Sequence, residues 1–167
     1  MFYLLIVTGA LVIFYINMMF AVAIHEIGHA VTGYLLGLKP KIIVIGGFLK
    51  PRLRFKIKKI NCSLFFSPLP QIAMVRFVKQ ETLTGRFFIM TLAGPFVNVL
   101  LLILFLFLFK KSVGSLNWWS IFVVSGITVN FGFGPMQLIP LTGSDGLHLL
   151  RCLIYFLLTK LLRLLQK

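Results

Sequence analysis

Acidic residues and histidine are scarce in this sequence. Its 167 residues include three Asp or Glu and three His, against 17 Lys or Arg. Only 12% of the residues are charged, about half the share that a soluble globular domain carries, so the composition excludes a soluble domain. With 59% hydrophobic residues and a mean hydropathy of +1.02, the chain is predicted to be an integral membrane protein that forms one domain over residues 1–167.

Cysteine is also rare, with Cys62 and Cys152 as the two examples. Two cysteines cannot build the disulfide framework of a small secreted domain. We expect both thiols to be reduced and to take no part in the chemistry of the protein. The scarcity of acids and histidines has the opposite consequence, because each of them becomes a candidate for function.

Long apolar runs dominate the chain. A helix that crosses the bilayer needs about 20 mostly apolar residues, and residues 2–24, 87–109 and 118–138 reach that length. We predict three spanning helices, the first of which continues to Leu36. A fourth apolar run, residues 147–165, is interrupted by three basic residues and is predicted to be an amphipathic helix at the membrane interface or on the bundle. A short fourth span is the less favoured alternative.

The net charge of +14 does not indicate a nucleic-acid partner, because of where the basic residues lie. Eleven of them fall between the first and second predicted spans. A short loop this basic stays in the cytoplasm under the positive-inside rule and lies against anionic lipid headgroups. The N-terminus and the turn at Lys110 are then external, and the chain returns to the cytoplasm near Pro140. The eleven residues are Lys39, Lys41, Lys50, Arg52, Arg54, Lys56, Lys58, Lys59, Arg76, Lys79 and Arg86.

Within that loop, "RLRFKIKK" (residues 52–59) alternates basic and apolar side chains, which is typical of a half-buried strand. The preceding "KIIVIGGFLKP" (residues 41–51) supplies a partner strand and a Gly46-Gly47 turn. We predict an all-α membrane protein with a three-helix transmembrane core, a small β-hairpin at the cytoplasmic surface and a C-terminal amphipathic or short fourth helix. The hairpin residues expected to face lipid or the helices are Leu53, Phe55 and Ile57.

The first span contains the pattern H-E-x-x-H, from His25 to His29. On a helix, residues four apart lie on one face about 6 Å apart along the axis, so two imidazoles can bind one zinc ion. Glu26 lies beside that face, where it can hold the attacking water and take its proton. The competing interpretation is a set of polar side chains satisfied by neighbouring helices. Ionisable residues within a span indicate function by default.

A catalytic zinc site needs a third protein ligand, and three residues are candidates. Glu81 lies in the polar loop "VKQETLTG", where a solvated carboxylate or a helix cap is the favoured interpretation. Asp145, in "LIPLTGSDGLHLL", follows the third span at a Pro-Gly break on the same inferred side of the membrane as the histidines. His148 lies three residues further on and would share a helical face with Asp145.

The chain resembles the intramembrane zinc proteases of the site-2 protease family, and the resemblance covers the three-helix catalytic core. The H-E-x-x-H pattern is one shared element. "AGPFVN", which ends at Asn98, is similar to the Gly-Pro segment of the next core helix, and "LIPLTGSDGLHLL" is similar to the Asn-Leu-Ile-Pro and Leu-Asp-Gly-Gly motif. This chain departs from the last motif at Gln137 for Asn, Ser144 for Leu and Leu147 for Gly.

The resemblance implies a Zn²⁺-dependent peptidase with Asp145 as the third ligand beside the two histidines. Its substrates would be transmembrane segments of membrane proteins or remnant signal peptides, cleaved on the cytoplasmic side of the cell membrane. The carboxylate offsets the zinc charge in a low-dielectric region, so His148 is expected to lie outside the ligand set. Asn98 is a candidate catalytic donor to the carbonyl oxygen or, equally, a partner for a neighbouring helix. Gln137 is a second candidate donor.

Two other functions remain open at this point. One is a zinc-binding membrane homologue without proteolysis that acts as a binding or immunity factor. The departures at Gln137 and Ser144 favour it, and the intact Glu26 argues against it. The other is a small transporter with a His and Asp ion path, which the single cluster of such residues disfavours. Apart from these residues, we interpret Gly28, Gly94 and Gly126 as positions of close helix packing.

Overall fold

A computed structural model describes residues 2–45, 53–57, 59–64, 73–77, 85–111 and 117–166. This part of the chain is mostly helical, with a small sheet between the first two long helices. The helices are α1 (Phe2–Leu35), α2 (Gly85–Lys110), α3 (Trp118–Phe133), a 3₁₀ helix (Pro135–Leu138) and α4 (Asp145–Leu165). The strands are β1 (Pro40–Ile45), β2 (Leu53–Ile57), β3 (Ile60–Leu64) and β4 (Met74–Phe77).

Three of the helical segments in these ranges are long and apolar enough to cross a membrane, as predicted. They are Tyr3–Leu35, Gly85–Lys110 and Trp118–Leu138. The fourth helix, α4, is also confirmed and begins two residues before the predicted apolar run. The three-helix core with a C-terminal fourth helix is therefore the observed architecture.

The first helix is unusually long because nothing in its sequence stops it before Gly37. Its 34 residues give a length of about 51 Å. It ends in a Schellman turn, in which the Leu38 amide donates to the Gly33 carbonyl at 2.8 Å and Gly37 adopts a φ of +84°. The turn directs the chain into β1.

Close packing of α1, α2 and α3 depends on the three glycines that the sequence singled out. A Cβ on Gly28 would lie 3.0 Å from the Ala93 carbonyl oxygen of α2. A Cβ on Gly126 of α3 would overlap the Phe105 ring of α2. Gly94 packs against the histidine rings of α1. The predicted packing role of these glycines is confirmed.

The four described strands form one sheet in the order β2-β3-β1-β4. The predicted pairing of β1 with β2 across a Gly46-Gly47 turn is wrong, and both glycines lie outside the described residues. The antiparallel hairpin is instead β2 with β3, whereas β1 pairs parallel with β3 and antiparallel with β4. The alternation of basic and apolar residues identifies a strand but does not identify its partner. Strand β2 pairs with the apolar segment 60–64, which is joined to it by a shorter connection than β1 is.

The sheet is attached to the helical core at the end of α1. The Phe77 ring of β4 lies against Gly33, and Leu38, which leads into β1, is buried. Strand β2 is at the opposite edge, where Leu53, Phe55 and Ile57 are all exposed. The free edge of the sheet therefore lies away from its attachment to the core.

Candidate metal centre

Three side chains from two helices converge at the H-E-x-x-H segment. His25 and His29 lie one turn apart on α1, and Asp145 is the first residue of α4. Nε2 of His25 lies 2.9 Å from Oδ2 of Asp145, and Nε2 of His29 lies 3.4 Å from the same oxygen. The two imidazoles meet edge to face, with ring centroids 4.8 Å apart. Among the described residues, these three form the group of His, Cys, Asp or Glu able to hold a metal ion.

The other ring nitrogen of each histidine is held by α2. Nδ1 of His29 donates to the Met90 carbonyl oxygen at 2.8 Å. Nδ1 of His25 lies 2.9 Å from Oδ1 of Asn98. Both acceptors are oxygens, so each Nδ1 carries its hydrogen and each Nε2 keeps a lone pair for a metal. Such hydrogen bonds fix the orientation and tautomer of metal-ligating histidines.

Two of the three separations between donor atoms are close to those around a tetrahedral metal ion, and all three are within 4.8 Å. With bonds of about 2.0–2.1 Å, two ligand atoms of tetrahedral zinc lie about 3.3 Å apart, which is close to the 2.9 and 3.4 Å between the histidines and Asp145. Gly94 leaves room at this point, because a Cβ there would overlap Nε2 of His29 and lie 2.8 Å from Nε2 of His25. The three residues are therefore close enough together to bind one metal ion.

Glu26 lies next to these ligands on α1. Its side chain is buried, with 6% of the residue exposed. Within the described ranges, no hydrogen bond or ion pair holds its carboxylate. A buried carboxylate with free acceptor oxygens, beside a metal-capable group, is able to bind a water and accept its proton.

Asn98 is completely buried and has no free amide hydrogen. Its Nδ2 donates to the Ala21 carbonyl oxygen at 3.2 Å and to Oδ1 of Asn130 at 3.0 Å. Since the Ala21 carbonyl can only accept, this network fixes the amide so that Oδ1 faces His25. Asn130 in turn donates to the Gly126 carbonyl oxygen at 2.8 Å. A chain of hydrogen bonds thus links α3 through α2 to the imidazole of His25.

Asp145 is placed by a turn that Ser144 organises. The Ser144 hydroxyl donates to the Ile139 carbonyl oxygen at 2.7 Å and accepts from the Leu141 and Leu147 amides. It is the N-cap of α4, so the departure from Leu at this position has a structural use. In this position Oδ2 of Asp145 lies within reach of Nε2 of both His25 and His29.

The remaining candidates are not members of this group of three. The His148 ring packs against Phe87, with centroids 6.2 Å apart. Gln137 is half-buried in the 3₁₀ helix, and Glu81 lies outside the described residues. Sequence reasoning missed Asn130, although a polar residue within an apolar span was a usable signal. It also missed the Met90 carbonyl, for which a backbone atom leaves no sequence signal.

Comparison with known proteins identifies the family of the chain. No match was found among curated proteins. The family model described as peptidase family M50 matches residues 13–115, which is more than half of the chain. The matched region includes the H-E-x-x-H segment and Asn98. The chain therefore belongs to peptidase family M50, the site-2 protease family.

Proposed function

We propose that this protein is a zinc-dependent intramembrane protease. The observation that carries the proposal is the convergence of His25, His29 and Asp145 around a point beside the unbonded carboxylate of Glu26. The histidines and Glu26 belong to a helix that is long and apolar enough to cross a membrane. A site of this composition on such a helix is suited to hydrolysis of peptide bonds in transmembrane segments of membrane proteins or remnant signal peptides.

His25, His29 and Asp145 would hold the zinc ion. When bound, zinc supplies Lewis-acid polarisation of the scissile carbonyl and lowers the pKa of water. Glu26 accepts the proton of the attacking water and then passes it to the leaving amine. Burial of Glu26 beside two histidines keeps this transfer away from bulk solvent.

Asn98 acts on the reaction through His25 rather than on the substrate. Both of its amide hydrogens are already donated, to Ala21 and Asn130, so none remains for the carbonyl oxygen of the substrate. Its contact with Nδ1 of His25 instead orients that imidazole. Gln137, whose side chain has no hydrogen bond among the described residues, is the candidate to donate to the developing oxyanion.

The substrate must be unwound locally, because a helix hides its own amides from water. Among the described strands, β2 forms an exposed edge whose outer backbone groups pair with no other described strand, and an extended substrate segment would add there as a further strand. We propose single-span membrane proteins as substrates on this ground. We propose the cytoplasmic side of the cell membrane for the sheet and the active site, because the segment between α1 and α2 is strongly basic.

Replacement of Glu26 by Gln tests the proposal. The amide cannot accept the proton, and the water also loses its orientation, so cleavage should fall by several orders of magnitude, beyond the roughly 10²–10⁴-fold typical of proton transfer alone. Zinc content should stay at the wild-type level, because Glu26 is not a ligand. Both are measured on protein in liposomes, with a panel of single-span peptides and with elemental analysis.

Two results would contradict the proposal. A Gln variant with substantial activity would exclude Glu26 as the base. Wild-type protein that binds zinc but cleaves no member of the panel would favour the alternative, a zinc-binding membrane homologue that acts as a binding or immunity factor.

A further inference from the structure

Helix α4 presents an apolar face that no described residue covers. From Leu150 to the end of the helix, at about 100° per residue, one arc of roughly 140° holds only Leu and Ile. Eight of these residues are between 39% and 75% exposed. They are Leu150, Leu153, Ile154, Leu157, Leu158, Leu161, Leu164 and Leu165.

Two basic residues border this arc. Arg151 and Lys160 are nine positions apart, which places them about 180° apart around the helix, one at each edge of the Leu and Ile face. Both are exposed. Long basic side chains at the edges of an apolar face reach the phosphates of lipid headgroups while their stems cover apolar surface.

The opposite side of α4 packs on the first turn of α2. The His148 ring contacts Phe87, and the Phe156 ring lies 3.7 Å from where a Cβ of Gly85 would be. His148 and Phe156 are about 12 Å apart along α4, whereas Gly85 and Phe87 are about 3 Å apart along α2. Helix α4 is therefore inclined across the end of α2, where this spanning helix reaches the membrane surface.

We propose that α4 lies in the membrane interface, with its Leu and Ile face in the acyl chains of a leaflet that contains anionic lipid. The charge balance of the chain favours lipid over a second copy of the protein. Two copies would each bring a net charge of +14. Of the three acids, Glu26 and Asp145 belong to the metal centre, which leaves Glu81 to pair with the basic residues of a partner. Anionic headgroups supply the missing negative charge.

The position of α4 in the interface, here called its seating, also affects the metal centre, because Asp145 is the first residue of α4. The Ser144 cap ties Asp145 to the start of the helix through the Leu147 amide. A helix held at its proper depth keeps Oδ2 of Asp145 within reach of both histidines. Lipid contact at α4 is therefore a determinant of metal affinity. The effect of lipid contact on metal affinity rests on the metal site of the proposed function, whereas the seating of α4 does not.

The depth of α4 is measured with a fluorescent label on single cysteines, in a background with Cys62 and Cys152 replaced by Ala. One label replaces Leu157 on the apolar face and the other replaces Arg163 on the opposite side. In nanodiscs of phosphatidylglycerol, brominated acyl chains should quench the label at 157, and aqueous iodide should quench the label at 163. Iodide quenching of both labels would overturn the seating. So would a label at 157 that neither iodide nor bromine quenches, in protein that forms cross-linked dimers.

The coupling is measured as zinc affinity, by chelator competition in the same nanodiscs. The variant Leu157→Gln with Leu161→Gln should bind zinc about tenfold or more weakly, the range seen when outer contacts of a metal ligand are lost. The matched control, Thr159→Gln with Arg163→Gln, changes the other side of the same turns and should stay within about twofold.

The two failures are distinguishable. In the face variant the label replaces Ile154 of the same apolar face, and unchanged zinc affinity in a variant in which iodide quenches that label would overturn the coupling alone. Wild-type protein that binds no zinc would overturn the metal site and the coupling together, while the quenching pattern still decides the seating.

Discussion

Replacement of Gly94 by Ala is expected to destroy the metal centre while leaving the helices folded. Gly94 lies on α2 directly beneath the ligand nitrogens of the two histidines. Alanine is the strongest helix former, and glycine is about 1 kcal/mol worse in a helix interior. The substitution therefore favours the isolated α2 helix, so any loss must come from the contact of the new methyl group with its neighbours.

The size of the loss follows from the geometry. The new Cβ would lie 2.8 Å from Nε2 of His25 and closer still to His29. A relaxed contact needs about 3.5 Å, so the His25 ring must move by about 0.7 Å. Metal–ligand distances tolerate only about 0.2 Å. Separation of α1 and α2 offers no easy relief. Gly28 packs closely on the Ala93 backbone, and moving the helices apart would open unfilled space at this contact.

We expect zinc affinity to fall by at least about 10²-fold, equivalent to about 2.7 kcal/mol. Chelator competition on the purified protein measures it, with circular dichroism as the check on helix content. The matched control is Gly132→Ala on α3, where a Cβ would meet nothing within 4 Å and zinc affinity should be unchanged. Wild-type affinity in the Gly94→Ala protein would refute the assignment of the histidine pair as ligands.

Three further outcomes are expected. Asp145→Asn should lower zinc occupancy sharply and remove activity, whereas His148→Ala should keep zinc and at least part of the activity; elemental analysis with a cleavage assay reads both, and the opposite ordering would reassign the third ligand. Asn98→Ala should weaken zinc binding by about 10–100-fold, and wild-type affinity of this variant in a chelator titration would contradict the positioning role. In protein without native cysteines, an impermeant thiol reagent on intact cells should label a cysteine at Ser115 and not one at Ser63, and the reverse pattern would invert the topology.

The helical core is predictable from the sequence because its signals are local. Runs of apolar residues define α1, α2 and α3 with errors of a few residues at each end. The end of α1 is marked by Gly37, whose positive φ permits the Schellman turn. The partner of β2 is not predictable in this way, since the alternation of residues 52–59 is compatible with either neighbouring strand. The pairing depends on which segment the folded chain brings next to β2.

The candidate site likewise contains residues that the sequence reveals and contacts that it does not. His25 and His29 are recognisable because their spacing places them on one helical face, and Asp145 because so few acids exist. The contacts that orient them are less visible. Asn130 acts through Asn98 across two helix interfaces, and Met90 acts through a backbone oxygen that any residue would provide.

The order of the ligands along the chain has a consequence for biosynthesis. Two donors lie on α1 and the third on α4, more than a hundred residues later. Since chains are made from the N-terminus at about 5–20 residues per second, the two histidines emerge several seconds before Asp145 exists. During that interval α1 carries only two of the three proposed ligands, and the nascent protein lacks the complete centre that the proposed proteolysis requires. Completion of the centre thus marks the completion of synthesis as far as α4.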